Sequence, residues 1–264
     1  MAGAWFEPIR AYCERTDPGL WAEPLNAVTN AAFLVAAALA GWRAVRGFGA
    51  EAAAMPPAPS PPVRPQRSGE GRRAGAAAIF DPAALALAVL AAVVGVGSFL
   101  FHTLAVRWSM LADVIPIALF IYAYFLLAMR RFLGLGIGGA TNATLAFAGA
   151  GFALEPGLSL ASGRALGPAT NGSIDYLPAL LALLGVGGAL LASSAGPERR
   201  GAGWRMLAIA ALFLLSLIVR TLDQALCPSL PHGTHFLWHL LNAGVLYGLI
   251  LTALRVRAAG APAA

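Results

Sequence analysis

The chain reads as an all-α protein: a bundle of seven transmembrane helices with its N-terminus outside and its C-terminus inside. Three observations predict this. Of 264 residues, 59% are hydrophobic and only 11% are charged, against about 25% charged in an ordinary globular domain. Seven apolar windows each approach the roughly 20 residues needed to cross a bilayer. The arginines, finally, are shared very unequally among the segments that join those windows.

The windows run over residues 25–45, 79–104, 108–129, 132–154, 175–195, 204–220 and 235–254. Ahead of the first, "MAGAWFEPIRAYCERTDPG" lacks a basic stretch running into an apolar one and carries Glu7, Glu14 and Asp17. It does not read as a cleaved signal, so the first helix is expected to direct insertion itself. Between the first and second windows, six prolines from Pro56 to Pro65 deny the chain a helix, and a disordered cytoplasmic loop is expected over 47–77. The second window closes on "GSFLFHTL", and a tight reversal near Arg107 leads into the third. The seventh opens on "HFLWH" after the run "LDQALCPSL". No internal repeat is evident. The whole chain, 1–264, is read as one domain with an outside segment over 1–23 and a helical core over 24–264.

The net charge of +6 could suggest a nucleic-acid partner, but there is no lysine and the 18 arginines gather on no single face. They report topology instead. With the N-terminus outside, thirteen arginines fall on inside segments and five outside (Arg10, Arg15, Arg107, Arg164 and Arg220), as the positive-inside rule requires. Cys13 and Cys227 then both lie outside. A disulfide there would tie the N-terminal segment to the loop before the seventh helix in an oxidising compartment; the alternative is two unrelated thiols.

Ionisable groups inside apolar spans are costly and mark functional positions. Ser98 and His102 are four apart near the outer end of the second helix and share a face. Asp113 follows eleven residues after His102 and returns to a comparable depth. His235 and His239 are again four apart, at the outer end of the seventh helix. At about 1.5 Å of rise per residue, all five lie within the outermost one to two turns of three helices, so they can meet. Three imidazoles without a thiolate, beside a carboxylate and a hydroxyl, suit a tetrahedral zinc that keeps one position for water. The bland alternatives are solvated or capping histidines and a serine bonded within its own helix. His232, between Pro231 and Gly233, reads as a loop residue.

Taken in order, "YCERTDPGLWAEPLNAVTNAAF", "GSFLFH" with Asp113, "LDQALCPSL" and "HFLWH" resemble the alkaline ceramidase family. That family sits within the seven-helix membrane hydrolases that include the adiponectin receptors. The resemblance implies that His102, His235 and His239 bind zinc, that Asp113 positions or deprotonates the attacking water, and that Ser98 steadies the metal site or the oxyanion. It also implies a Cys13–Cys227 disulfide and a calcium site in the N-terminal segment, held by Glu14 and Glu23 with Asp17 compensating. There the match is partial, and the alternative is that Glu14, Asp17 and Glu23 form a solvated acidic loop that pairs with Arg10 or Arg15. Ala11 stands where the eukaryotic pattern has an aspartate, Thr16 replaces an asparagine, and the spacing from Cys13 to Glu23 is about two residues shorter.

The activity implied is zinc-dependent hydrolysis of the amide bond of ceramide, or of a ceramide-like membrane lipid, to a sphingoid base and a fatty acid. Two rivals stand beside it: a hydrolase of another acyl lipid, ester or amide, and a seven-helix receptor with a non-catalytic zinc. The lack of lysine, the abundance of alanine and the compact loops suggest a bacterial source. The expected location is therefore the inner membrane, with the site near the periplasmic side.

Overall fold

A computed structural model describes residues 2–46, 80–193 and 196–259; the loop expected over 47–77 lies outside them. The described residues are all-α apart from one isolated bridge, and seven helices are long and apolar enough to cross a membrane. They are α1 (Pro24–Arg46), α2 (Pro82–Leu104), α3 (Arg107–Arg131), α4 (Ile137–Ser162), α5 (Ser173–Ala192, whose first turn is 3-10), α6 (Pro197–Leu226) and α7 (His235–Ala259).

The helices start where the sequence supplies caps. Pro24, Pro82 and Pro197 occupy first-turn positions whose N–H would have no partner in the helix. Asp81 caps α2 by accepting the Ala84 N–H at 3.1 Å. Glu14, on the N-terminal segment, caps α1 from outside the helix. One of its oxygens accepts the Leu25 N–H at 2.7 Å and the other the Asn26 N–H at 2.8 Å. α1 breaks at Asn30 into Pro24–Thr29 and Ala31–Arg46, which turns Thr29 toward the bundle axis.

Helix α2 is central, packed between α1 and α3, while α7 lies against α6 and α1 and α5 against α6. Helix α4 buries only Ala140 and presents Leu145, Phe152 and Leu160 outward. Apolar side chains facing out around hydrogen-bonded helices are what a bilayer solvent selects.

Two spans differ from the windows read in the sequence. The fourth was expected over 132–154, but Gly134 has φ +72° and ends the preceding turn, so the helix begins at Ile137. It runs past Glu155 and Pro156 because the Glu155 carboxylate accepts from Ser159 Oγ at 2.7 Å and from the Gly167 N–H at 3.2 Å. Gly163, at φ +65°, then stops it. The sixth, expected over 204–220, extends at both ends, through "PERRGAGW" and through Arg220 and Asp223. Charged residues fall outside a hydropathy window even where the fold gives them partners.

At the end of the bundle away from the N-terminal segment, Asp81 joins three helices. It receives Arg131 at 2.8 and 3.3 Å and Arg257 at 2.9 Å, while Arg131 also donates to the Ala253 carbonyl at 3.0 Å. Burial pushes the Asp81 carboxyl up, but the hydrogen bond from Arg131 and the Ala84 N–H outweigh it, and the net shift is downward. A depressed carboxylate stabilises the fold fully above its unfolded value of about 3.9 and loses that contribution as pH falls through the folded one. Asp81→Asn is therefore expected to cost about 2 kcal/mol at pH 7, with the gap to wild type closing in acid. Thermal unfolding of both proteins in detergent at the two pH values checks this; a gap that persists in acid would exclude an ionic clasp.

Candidate metal centre

The opposite end gathers the ionisable residues of the spans. Helix α2 carries Ser98 and His102 on one face and ends at Leu104; Ala105, in left-handed backbone at φ +42°, reverses the chain into α3. Gly97 lets the two helices touch, since a Cβ there would lie 1.9 Å from the Ala112 carbonyl oxygen. That approach places the Ser98 hydroxyl beside the Asp113 carboxylate and Asp113 within electrostatic reach of His102.

Helix α7 is aimed by Asp223 of α6. One oxygen of Asp223 accepts the N–H groups of Thr234 and His235 at 2.6 and 2.9 Å, capping the helix. The other accepts the Cys13 N–H at 3.0 Å. Gly233, at φ +62°, leaves room, because a Cβ there would collide with the Asp223 carboxylate. Cys13 and Cys227 form a disulfide alongside, with 5.3 Å between their Cα atoms.

His102, His235 and His239 converge, each offering one ring nitrogen within 4.8 Å of the others. All three are at most 1% exposed, so water does not satisfy them. Nε2 of His102 and Nε2 of His239 are 3.1 Å apart, near the roughly 3.3 Å that two imidazoles at about 2.05 Å from a tetrahedral zinc would show. The outer nitrogens set the tautomers. Nδ1 of His102 donates to Glu23 Oε2 at 2.6 Å. Nδ1 of His239 lies 2.9 Å from Thr29 Oγ1, whose own proton goes to the Leu25 carbonyl at 2.7 Å, so the imidazole is the donor. Each ring therefore turns an unprotonated Nε2 toward the cluster. His235 is held by stacking: Tyr12 lies 3.5 Å from it, centroid to centroid, and Trp238 flanks it near-parallel at 6.4 Å. Nδ1 of His235 and Oδ1 of Asp113 are buried with no hydrogen-bond partner. Buried polar atoms left without partners beside three converging imidazoles fit a bound metal ion.

The acidic residues expected to hold calcium are used differently. Glu14 caps α1. Asp17 is exposed and accepts the Gly19 N–H at 2.6 Å. Glu23 is divided between Arg15 Nε at 2.5 Å on one oxygen and His102 and Asn26 on the other. Burial pushes its carboxyl up, but the hydrogen bond from His102 and the pairing with Arg15 bring it below the ordinary glutamate value. Among the described residues, the only cluster of His, Cys, Asp and Glu suited to a metal is the three-histidine one. The calcium ligand set is thus not assembled, because its carboxylates already serve the backbone, a histidine and an arginine. His232 is exposed in the loop before α7.

Several contributors were not singled out in the sequence, namely Tyr12, Thr29, Arg220 and Asp223, while Arg15 was expected only as a partner for the acidic loop and does pair with Glu23. Arg220 and Asp223 carried a usable signal, being charges in a helix otherwise apolar at that level. Tyr12 and Thr29 carried none, since their roles depend on how the N-terminal segment folds back. Burial pushes the Tyr12 hydroxyl well above its usual value, with Arg220 opposing, so the ring stays neutral.

Toward the bundle centre lies an apolar cavity lined from all seven helices, among them by Phe33, Phe120, Tyr176, Phe213 and Trp238. Phe33 meets His239 edge-on at 6.3 Å and Trp238 flanks His235, so the cavity abuts the histidines. Thr29→Val, which removes the acceptor for His239 while keeping shape, is expected to lower metal affinity about tenfold. Competition against a chromophoric chelator measures it, and unchanged affinity would deny Thr29 a supporting role. No protein-family model matches the chain and no curated protein matches it, so the reading of this centre rests on its geometry.

Proposed function

We propose that the protein is a zinc-dependent membrane amidohydrolase of the alkaline ceramidase kind, cleaving the amide of ceramide or a ceramide-like lipid to a sphingoid base and a fatty acid. The observation that carries this reading is three buried histidines whose ring nitrogens converge, with the Nε2 atoms of His102 and His239 facing each other, set beside Asp113 and Ser98 and abutting an apolar cavity. Three imidazoles leave a fourth tetrahedral position open, the pattern of catalytic rather than closed structural sites. A zinc ion held there supplies Lewis acidity and lowers the pKa of a bound water toward about 7.

The protein's own groups do the rest. Glu23 and Thr29 keep His102 and His239 in the ligating tautomer. Asp113 accepts the proton of the attacking water and returns it to the leaving amine, whose expulsion needs protonation. Ser98 donates a hydrogen bond to the developing oxyanion. The cavity takes acyl chains that water would reject, while the boundary position of the site admits water and releases the amine. The distribution of arginines supports an outside location for this end, and the lysine-free, alanine-rich composition supports a bacterial inner membrane with the site near its periplasmic side.

A second reading keeps the chemistry and changes the lipid, and Arg220 favours it. Its guanidinium lies 5.8, 5.5 and 5.0 Å from the rings of Tyr12, Tyr176 and Trp238, and its Nε donates to the Asn171 carbonyl at 3.2 Å. It makes no ion pair among the described residues. Asp113 and Asp175 lie within electrostatic reach of it without forming a salt bridge, so an anionic group on the ligand is the direct partner this guanidinium can take, as in an acyl amide of an amino acid.

Incubating purified protein with ceramide, N-acyl amino acids and acyl esters, with and without a chelator, and identifying products by mass spectrometry tests both readings. Amide cleavage abolished by chelation is expected; metal binding without hydrolysis of any lipid would leave a receptor instead. His235→Ala is expected to lose both metal and turnover while still inserting, and zinc retained at one per chain would refute the ligand assignment. Asp113→Asn is expected to keep zinc and lose 10²–10⁴-fold in turnover, and near-normal turnover would refute the proton-transfer role.

A further inference from the structure

Beside the metal centre, one guanidinium collects five oxygens. Arg15, whose side chain is 3% exposed, donates from Nε to Glu23 Oε1 at 2.5 Å. Its Nη1 donates to the carbonyls of Gly19 and Asp17 at 3.3 and 3.5 Å. Its Nη2 donates to those of His102 and Thr103 at 3.0 and 3.4 Å. The last two belong to the final turn of α2, where carbonyls lack helical partners and carry the negative end of the helix dipole. The other three oxygens come from the N-terminal segment. One carboxylate oxygen and four carbonyls make the donor set of a hard divalent cation, yet here they surround a side chain of the protein itself.

We propose that Arg15 is the resident cation of this corner and makes the metal centre independent of calcium. It is a positioning residue. It locks the N-terminal segment to the end of α2 and fixes one oxygen of Glu23, which leaves the other oriented on Nδ1 of His102. A planar, five-donor group suits this task because its acceptors lie on three sides; a lysine ammonium, being a point donor, cannot span them. The acidic residues around it are then helix caps and partners for Arg15 rather than ligands for an added ion. This inference rests on the metal-centre reading above.

The test uses the full chain in detergent. Wild-type melting temperature and zinc affinity are expected to be the same in millimolar calcium and in buffer freed of calcium without any soluble chelator; a calcium-dependent rise in either would overturn the proposal. Arg15→Ala is expected to weaken zinc binding at least tenfold, with recovery in methylguanidinium but not in methylammonium. Zinc affinity equal to wild type, or a loss that methylguanidinium does not relieve, would overturn it. Should Arg15→Ala fail to fold, Arg15→Lys serves: weakened zinc binding that calcium does not restore is expected, and wild-type affinity would overturn the proposal. If wild type binds no zinc at all, it is the metal-centre reading that fails. The clasp is then judged alone, by whether methylguanidinium raises the melting temperature of Arg15→Ala.

Discussion

The hydrogen bond from Nδ1 of His102 to Glu23 is the interaction on which the site end of the molecule depends. It keeps the imidazole proton on the outer nitrogen and turns the inner one toward the other histidines. The cost is a carboxylate taken out of water, and such a group persists only if its remaining lone pairs are filled. That requirement accounts for much of what surrounds it. Arg15 and Asn26 complete the carboxylate, and Glu14 holds the backbone of the helix that Glu23 precedes. The N-terminal segment is therefore part of the site's architecture and not a leader to the first span.

The two ends of the bundle solve the same problem with opposite charges. At the far end one buried aspartate is enclosed by two arginines from α3 and α7. At the site end one buried arginine is enclosed by a carboxylate and carbonyls. Between them the interior is almost purely apolar, so the polar chemistry is confined to one end and the cavity keeps its lipid-like lining. Helix α4, with a single buried side chain, contributes little to either clasp.

The seven spans were legible because bilayer crossing imposes length and apolarity, which a sequence displays directly. The histidines, Ser98 and Asp113 were legible for a related reason: a polar group in an apolar window stands out, and spacing of four puts two of them on one face. The paired cysteines were readable through topology, since both fall on the same side of the membrane. What stayed hidden was the use of groups whose partners lie far along the chain. Glu14, Asp17 and Glu23 look alike in sequence, yet one caps a helix, one closes an exposed turn and one orients a histidine. Glu23 pairs with Arg15, and Arg15 also reaches the end of α2, a contact that depends on a segment without regular structure. The start of α4 was obscured by Gly134 and its extension by Pro156, because glycine and proline act there through local backbone geometry and not through hydropathy.

The disulfide joins residues 214 positions apart, and the clustered histidines come from α2 and α7. During synthesis, Tyr12 and Cys13 therefore emerge long before their partners on α6 and α7 exist. Six helices must enter the membrane before Cys227 and Asp223 can receive the N-terminal segment, and a seventh before His235 can stack on Tyr12. The site is the last part of the protein to be completed, and until then its buried carboxylates and imidazoles must stay near the membrane surface, where water still solvates them. A chain that stalls before residue 239 would be inserted and helical, but without its three-histidine cluster.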